Sequence, residues 1–225
     1  LVPSGAVENL LIACDFDGTI TERDTLHLIV EAYGAPGVWG AIEPRLRAGE
    51  LTLEQAMQEQ FAAVRASADE VRALVLREAG LRRGFAEFVA WARAGGHRLV
   101  VLSSGFRSVI DTLLAHWGLA DLEVHSHEAR FSPEGCRLVW TDRGEPCALC
   151  GRRCKRGEIA RRRAGEPLVY VGDGVSDRCA ARMADLVFAR AHLARDLAAD
   201  GVAFVPFEDF VEVRERLERA APIAA

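Results

Sequence analysis

The stretch Leu10-Leu11-Ile12-Ala13-Cys14-Asp15-Phe16-Asp17-Gly18-Thr19 decides how this chain is read. An apolar run of strand type ends in two aspartates spaced two apart. Side chains alternate faces along a strand, so Asp15 and Asp17 are expected to project one way while Phe16 turns into the core. Gly18 lets the chain leave through a turn that other residues resist. Two carboxylates then stand together at the carboxyl end of a buried strand, where ligands of open α/β sheets bind. They repel each other unless a cation or a shared proton relieves them. A divalent metal is the simplest relief.

The chain has 225 residues, half of them apolar, which is room for one core with a small second domain. Lys and Arg number 28 against 33 Asp and Glu, a net charge of -5. That balance argues against a nucleic-acid partner. The basic run Arg152-Arg153, Lys155-Arg156 and Arg161-Arg162-Arg163 reads as a solvated loop and helix face, since no aromatics interleave it. No apolar stretch is long enough to span a bilayer, so no membrane association is expected. The start, Leu1-Val2-Pro3-Ser4-Gly5, lacks the basic and apolar regions of a secretion signal. A cytoplasmic location is expected by default, and a homodimer is left open.

Strand-type runs occur at 10–14, 98–102, 168–171, 186–189 and 203–206, with helical segments at 109–117, 157–164, 177–184 and 209–220. Strands alternating with helices predict a parallel, Rossmann-like α/β sheet. Residues 24–81 break the alternation. Apolar residues recur there at helical spacing, as in Leu26, Ile29 and Val30, or Val71, Leu74 and Val75. Thr52 with Gln55 and Ser67 with Glu70 resemble capping boxes. The expected organisation is therefore a core of residues 1–23 and 82–225 with a helical cap at 24–81. A second insertion, 125–154, is expected to hold a hairpin turning at Pro133-Glu134-Gly135 and a cysteine-rich loop.

Three further clusters fall at strand ends or helix starts. Ser103-Ser104-Gly105 follows a strand and offers a hydroxyl, and backbone N–H groups at a turn into a helix, suited to phosphate. Lys155 lies near a helix start, where its charge can offset phosphate and Asp15. Gly172-Asp173-Gly174-Val175-Ser176-Asp177 adds carboxylates on a tight turn, hard ligands that suit Mg²⁺.

In this order the four clusters resemble the motifs of the haloacid dehalogenase superfamily, along nearly the whole chain. The resemblance implies a Mg²⁺-dependent phosphatase acting on a small-molecule phosphate ester. It makes Asp15 the nucleophile, and Asp17 the general acid and base whose backbone carbonyl helps to hold the metal. Asp173 completes the metal site, Asp177 supports it, and Ser103 and Lys155 bind the phosphoryl group. Gly18, Thr19, Ser104 and Gly105 join the phosphate-binding set, and Asp24 is expected to face the substrate. Aspartate at position 17 favours hydrolysis over ATPase-like chemistry, because water must be activated.

Three subgroups compete for the substrate. The chain looks most like the 2-hydroxy-3-keto-5-methylthiopentenyl-1-phosphate phosphatases of methionine salvage, through Arg83-Gly84-Phe85, Leu138-Val139-Trp140, Phe188-Ala189-Arg190 and Pro206-Phe207-Glu208-Asp209-Phe210. Phosphoserine phosphatases share the cap and the serine-glycine motif, but their carboxylate-reading arginine falls near Glu59. The phosphoethanolamine/phosphocholine phosphatases share Cys147-x2-Cys150-x3-Cys154-Lys155. A phosphotransferase is the remaining enzymatic alternative, and a non-catalytic binding protein fits the intact site residues least.

The cysteines leave two readings open. Cys147, Cys150 and Cys154, with Cys136, His125 or His127, form a structural Zn²⁺ site, or they form a reduced, packed loop that positions Lys155. Cys14 and Cys179 read as small buried apolar residues.

Overall fold

The structure, a computed structural model, describes residues 9–141 and 145–220. Leu1-Val2-Pro3-Ser4-Gly5 and residues 142–144 of the expected insertion lie outside the described residues. The apolar run forms strand β1 (Leu11–Cys14), every residue of which is buried. It is apolar on both faces because it lies inside a parallel sheet covered on both sides. β2 (Arg98–Phe106) pairs with it on one side, Leu11 opposite Arg98, and β5 (Leu168–Gly172) on the other, Leu11 opposite Leu168. With β3 (Glu123–Ser132), β4 (Gly135–Val139), β6 (Leu186–Ala189) and β7 (Val205–Pro206), the order is β4-β3-β2-β1-β5-β6-β7. All pairs are parallel except β3–β4.

Strand alternation sorts the core into two halves. Ile12, Cys14, Val101 and Val169 face one side, with Phe85 and Phe88 of α5 (Phe85–Ala94) and Phe210 of α10 (Phe210–Ala220). Leu11, Ala13, Val100 and Tyr170 face the other, with Ile159 of α7 (Lys155–Ala160) and Leu193 and Leu197 of α9 (Ala191–Ala199). The remaining core helices are α6 (Arg107–His116) and α8 (Arg178–Ala181).

Between β1 and β2 the chain forms α1 (Thr25–Tyr33), α2 (Val38–Arg47), α3 (Leu53–Phe61) and α4 (Ala68–Glu78). Both capping boxes are present, Thr52 with Gln55 before α3 and Ser67 with Glu70 before α4. The chain leaves and re-enters the sheet at one place, because Thr21 and Leu81 form an antiparallel bridge. Phe61 of α3 meets Phe106 edge-on at 4.9 Å, and Phe106 meets Phe131 at 5.8 Å, so the helical segment shares the core of the sheet.

The structure departs from the sequence reading at several points. β1 stops at Cys14, so Asp15 and Asp17 lie on the loop beyond it rather than on the strand. β2 continues through Ser103-Ser104-Gly105 with a break in register between Leu102 and Phe106, in place of a turn directly after Leu102. β3 is one strand that starts in the parallel sheet beside β2 and carries on into the hairpin. Helices α5 and α9 were not expected. α9 has no side-chain cap and begins at Ala191 with φ of 45°, so no start signal is written in its sequence. The basic run is not a freely solvated face: Arg162 bonds Glu158 at 2.7 Å and Arg163 bonds Asp185 at 2.5 Å.

Replacing Ser67 by Ala removes the hydroxyl that caps α4. Urea unfolding of Ser67→Ala is expected to show a loss of about 1 kcal/mol with an unchanged slope.

Candidate active site

The loop after β1 is held by backbone bonds before any side chain acts. Asp15 N donates to Val171 O at 2.9 Å, which ties the loop to β5. Phe16, fully buried, accepts at its carbonyl from the N–H groups of Thr19, Ile20 and Thr21. Gly18 closes the turn at φ of 76°, and a Cβ there would sit 2.6 Å from Asp173 Oδ2. Both reasons exclude a larger residue. The Gly18 carbonyl accepts from Arg82 Nη2 at 2.9 Å and from Arg190 Nη1 at 3.0 Å.

Asp15 Oδ1 accepts from Phe16 N at 2.7 Å and from Lys155 Nζ at 2.5 Å. The same ammonium donates to Asp177 Oδ1 at 2.7 Å. Asp177 is fully buried, and its remaining contacts are protein donors: Tyr170 OH at 2.6 Å to Oδ1, with Asp173 N at 3.1 Å and Gly174 N at 2.9 Å to Oδ2. It therefore holds the loop and the lysine in place. Asp173 Oδ1 accepts from Thr19 Oγ1 at 2.8 Å. Thr19 is itself fully buried, so its hydroxyl supports Asp173.

Asp17 is held by two hydroxyls, Thr25 Oγ1 to Oδ1 and Ser103 Oγ to Oδ2, the latter at 3.0 Å. Ser103 in turn accepts from Gly105 N at 2.7 Å. A Cβ on Gly105 would come within 2.4 Å of Asp17 Oδ2, so glycine there is a condition for the position of Asp17.

Burial raises the carboxyls. Asp15 is pushed well up by loss of water and by Asp177, against the pull of Lys155. Asp17 rises to about 6 through burial and then the charge of Asp24, against its two hydroxyl bonds. Asp173 rises to about 7 through burial and then Asp177. Lys155 is raised by Asp15 and Asp177 despite its burial, and stays an ammonium.

Carboxylate oxygens of Asp15, Asp173 and Asp177 lie within 4.8 Å of one another. Asp177 is engaged by protein donors, so Asp15 and Asp173 are the oxygens that fit a small hard cation. Asp17 is outside that group by its side chain.

A cleft of about 380 Å³ opens onto these residues. Asp15, Asp17, Asp173, Ser104 and Gly105 line one side, and Leu26, Trp39, Leu46, Leu53, Met57 and Gln60 of the helical segment line the other. Among the described residues no lysine or arginine lines it. Asp24 also reaches the cleft, but it is exposed and its Oδ1 caps α1 by accepting from His27 N at 3.0 Å.

The cysteines form a second group beside the carboxylates. Cys147, Cys150 and Cys154 gather with Cys179 rather than with Cys136, His125 or His127. Cys136 pairs in the β3–β4 hairpin opposite Phe131, His125 contacts Arg162, and His127 Nδ1 accepts from Thr141 N at 3.2 Å. Cys179 is half-buried and faces the other thiols, not the apolar core.

Four residues around the site escaped the sequence reading: Thr25, Arg82, Tyr170 and Arg190. Arg82 is buried and donates to the carbonyls of Gly18, Thr19 and Thr21. A usable signal existed for Lys155, since it is the chain's only lysine among 28 Lys and Arg residues.

The raised Asp173 carboxyl fixes the sign of a pH effect. Its folded value lies above the unfolded one, so the metal-free fold binds extra protons between about pH 4 and pH 7 and loses stability as pH rises through that window. Asp173→Asn removes this penalty. In EDTA at pH 8 the variant is expected to be more stable than the wild type by about 2 to 4 kcal/mol, with the difference vanishing near pH 4. Paired urea titrations check this.

The pattern of haloacid dehalogenase-like hydrolases matches residues 12–182. The 2-hydroxy-3-keto-5-methylthiopentenyl-1-phosphate phosphatase of Geobacillus thermodenitrificans is 31% identical, covering 96% of this chain and 99% of that protein. The protein of the same name from Brevibacillus brevis is 29% identical over 94% of this chain and 98% of its own length. Among solved structures, a phospho-aspartyl intermediate analogue of phosphoserine phosphatase aligns with a TM-score of 0.71 at 20% identity, covering 93% of this chain and 99% of that one. The last match shows the shared fold; the first carries the classification. The chain belongs to the haloacid dehalogenase-like hydrolase family.

Proposed function

We infer that the protein is a Mg²⁺-dependent phosphomonoester hydrolase whose substrate is of the 2-hydroxy-3-keto-5-methylthiopentenyl-1-phosphate type. The observation that supports this reading is the make-up of the cleft: catalytic-loop carboxylates together with Leu26, Trp39, Leu46, Leu53 and Met57 of the helical segment, among which His27 and Glu43 also stand. The proteins this chain is similar to act, by their names, on a phosphate ester with hydroxyl and keto oxygens and a methylthio end. Leu26, Trp39, Leu46, Leu53 and Met57 suit a thioether tail, and the buried amide of Gln60 suits a keto or hydroxyl oxygen. Phosphoserine fits less well, because its carboxylate finds no lysine or arginine along the cleft among the described residues.

Asp15 attacks phosphorus in line, the ester P–O bond breaks, and an aspartyl-phosphate forms on residue 15. Asp17 gives its proton to the departing oxygen, which its value of about 6 allows near neutral pH. Asp17 then takes a proton from water, the water oxygen attacks phosphorus, and inorganic phosphate leaves Asp15 free. Lys155 holds the attacking carboxylate and offsets the charge that gathers on the phosphoryl oxygens. Asp15 and Asp173 would hold a Mg²⁺ ion, which would supply neutralisation of phosphate charge. Residues 24–81 act as a cap that excludes bulk water, hinged beside the Thr21–Leu81 bridge. Asp24 stands at the rim of this cap and biases which polar head group enters.

Phosphate release should be measured over the methylthiopentenyl ester, phosphoserine, phosphocholine and phosphoethanolamine. The methylthiopentenyl ester is expected to give the highest kcat/KM, EDTA to stop turnover, and Mg²⁺ to restore it. Asp15→Asn should stop turnover with the fold intact, and wild-type-like activity in that variant would end the proposal. A preference for phosphocholine would reassign the substrate. Lys155→Arg is expected to lower kcat by about 100-fold or more, because a planar guanidinium cannot replace a compact ammonium between two carboxylates.

A further inference from the structure

Four cysteines that play no part in the proposed chemistry meet beside the site. The sulfurs of Cys147, Cys150, Cys154 and Cys179 all lie within 4.8 Å of one another, and none is in a disulfide. A tetrahedral tetrathiolate with Zn–S of about 2.3 Å needs sulfurs about 3.8 Å apart. The gathered thiols are within a small side-chain adjustment of that arrangement.

The backbone around them is shaped for the same purpose. Cys147 N donates to Arg152 O and Gly151 N donates to Cys147 O, both at 2.7 Å, which folds residues 147–152 into a tight knuckle. Gly151 turns it at φ of 69°. Leu149 N points at Cys147 Sγ, 3.4 Å away, a contact that favours a thiolate. Cys154 comes from the residue preceding α7, and Cys179 from α8. Three separate segments therefore deliver four soft ligands to one point. Arg152, Arg153, Arg178 and Arg182 line the same cavity as Cys150, Cys154 and Cys179, and Arg178 and Arg182 also pair with Asp200.

We propose that Cys147, Cys150, Cys154 and Cys179 bind one structural Zn²⁺. The donor set is closed, with four protein sulfurs and no open position, which separates it from a metal that handles substrate. Its place gives it a positioning role. Cys154 immediately precedes Lys155, and Cys179 lies two residues beyond Asp177. One ion bound to both cysteines clamps the two segments whose side chains form the 2.7 Å Lys155–Asp177 pair.

The test is metal content, which stands or falls independently of the phosphatase reading. Wild-type protein produced with Zn²⁺ present and dialysed free of loose metal is expected to hold one zinc per chain by elemental analysis. Replacement by Co²⁺ should give the intense visible absorption of tetrahedral thiolate coordination. Cys179→Ala is expected to weaken Zn²⁺ binding by more than about 100-fold. Cys136→Ala, outside the cluster, should keep one equivalent. Loss of the metal should lower the Tm of the wild type, a readout that needs no variant to fold. A wild-type chain that holds no zinc and whose cluster thiols all react freely with a thiol reagent overturns the proposal. So does iron in place of zinc, a Cys147–Cys154 or Cys150–Cys179 disulfide in the purified protein, or full zinc retention in Cys179→Ala.

Discussion

One ammonium group holds the site together. Lys155 Nζ lies between Asp15 and Asp177, at 2.5 Å and 2.7 Å, on the carboxyl edge of the central strands. Three carboxylates lie within a few ångströms of each other there, and like charges at that range in a water-poor setting destabilise the fold unless something compensates. The lysine neutralises part of that charge and fixes two of the three. Asp173 has no such partner, and burial together with the charge of Asp177 raises it to about 7. Breaking a buried pair of this kind typically costs about 3 to 5 kcal/mol, because the partner stays behind uncompensated.

The glycines and hydroxyls around the site follow from the same crowding. Gly18 and Gly105 are small because Asp173 and Asp17 occupy the space a Cβ would need. Thr19, Thr25 and Ser103 give each carboxylate a donor without adding charge. Arg82 and Arg190 neutralise the loop through its carbonyls and leave the carboxylates to the lysine. Rigidity comes from the sheet: each acidic loop starts where a buried strand ends, so the reacting groups inherit the positions of β1 and β5.

Much of this was legible in the chain itself. The apolar run ending at Cys14 marks a buried strand because nothing but burial on both faces explains five consecutive apolar residues before two aspartates. The capping boxes are local and needed no tertiary information. What escaped was set by distance along the chain. Tyr170, read only as a strand residue, hydrogen-bonds Asp177. Cys179 lies a whole strand beyond the other three cysteines, and no spacing rule connects it to them. Placed just past the acidic loop and before Ala180, it reads from the sequence as a small buried apolar residue. The apolar wall of the cleft was hidden for a similar reason. Leu46, Leu53 and Met57 show the same helical periodicity whether they pack inward or face a ligand, and only the packing of α2 against α3 separates the two.

The scarcity of lysine has a practical side. Every other residue among its 28 Lys and Arg is an arginine, and the sole side-chain amine lies behind the carboxylate it pairs with, 6% exposed. Reagents that acylate amines therefore find no lysine on the outer surface. Modification at residue 155 reports how often its pairs with Asp15 and Asp177 open.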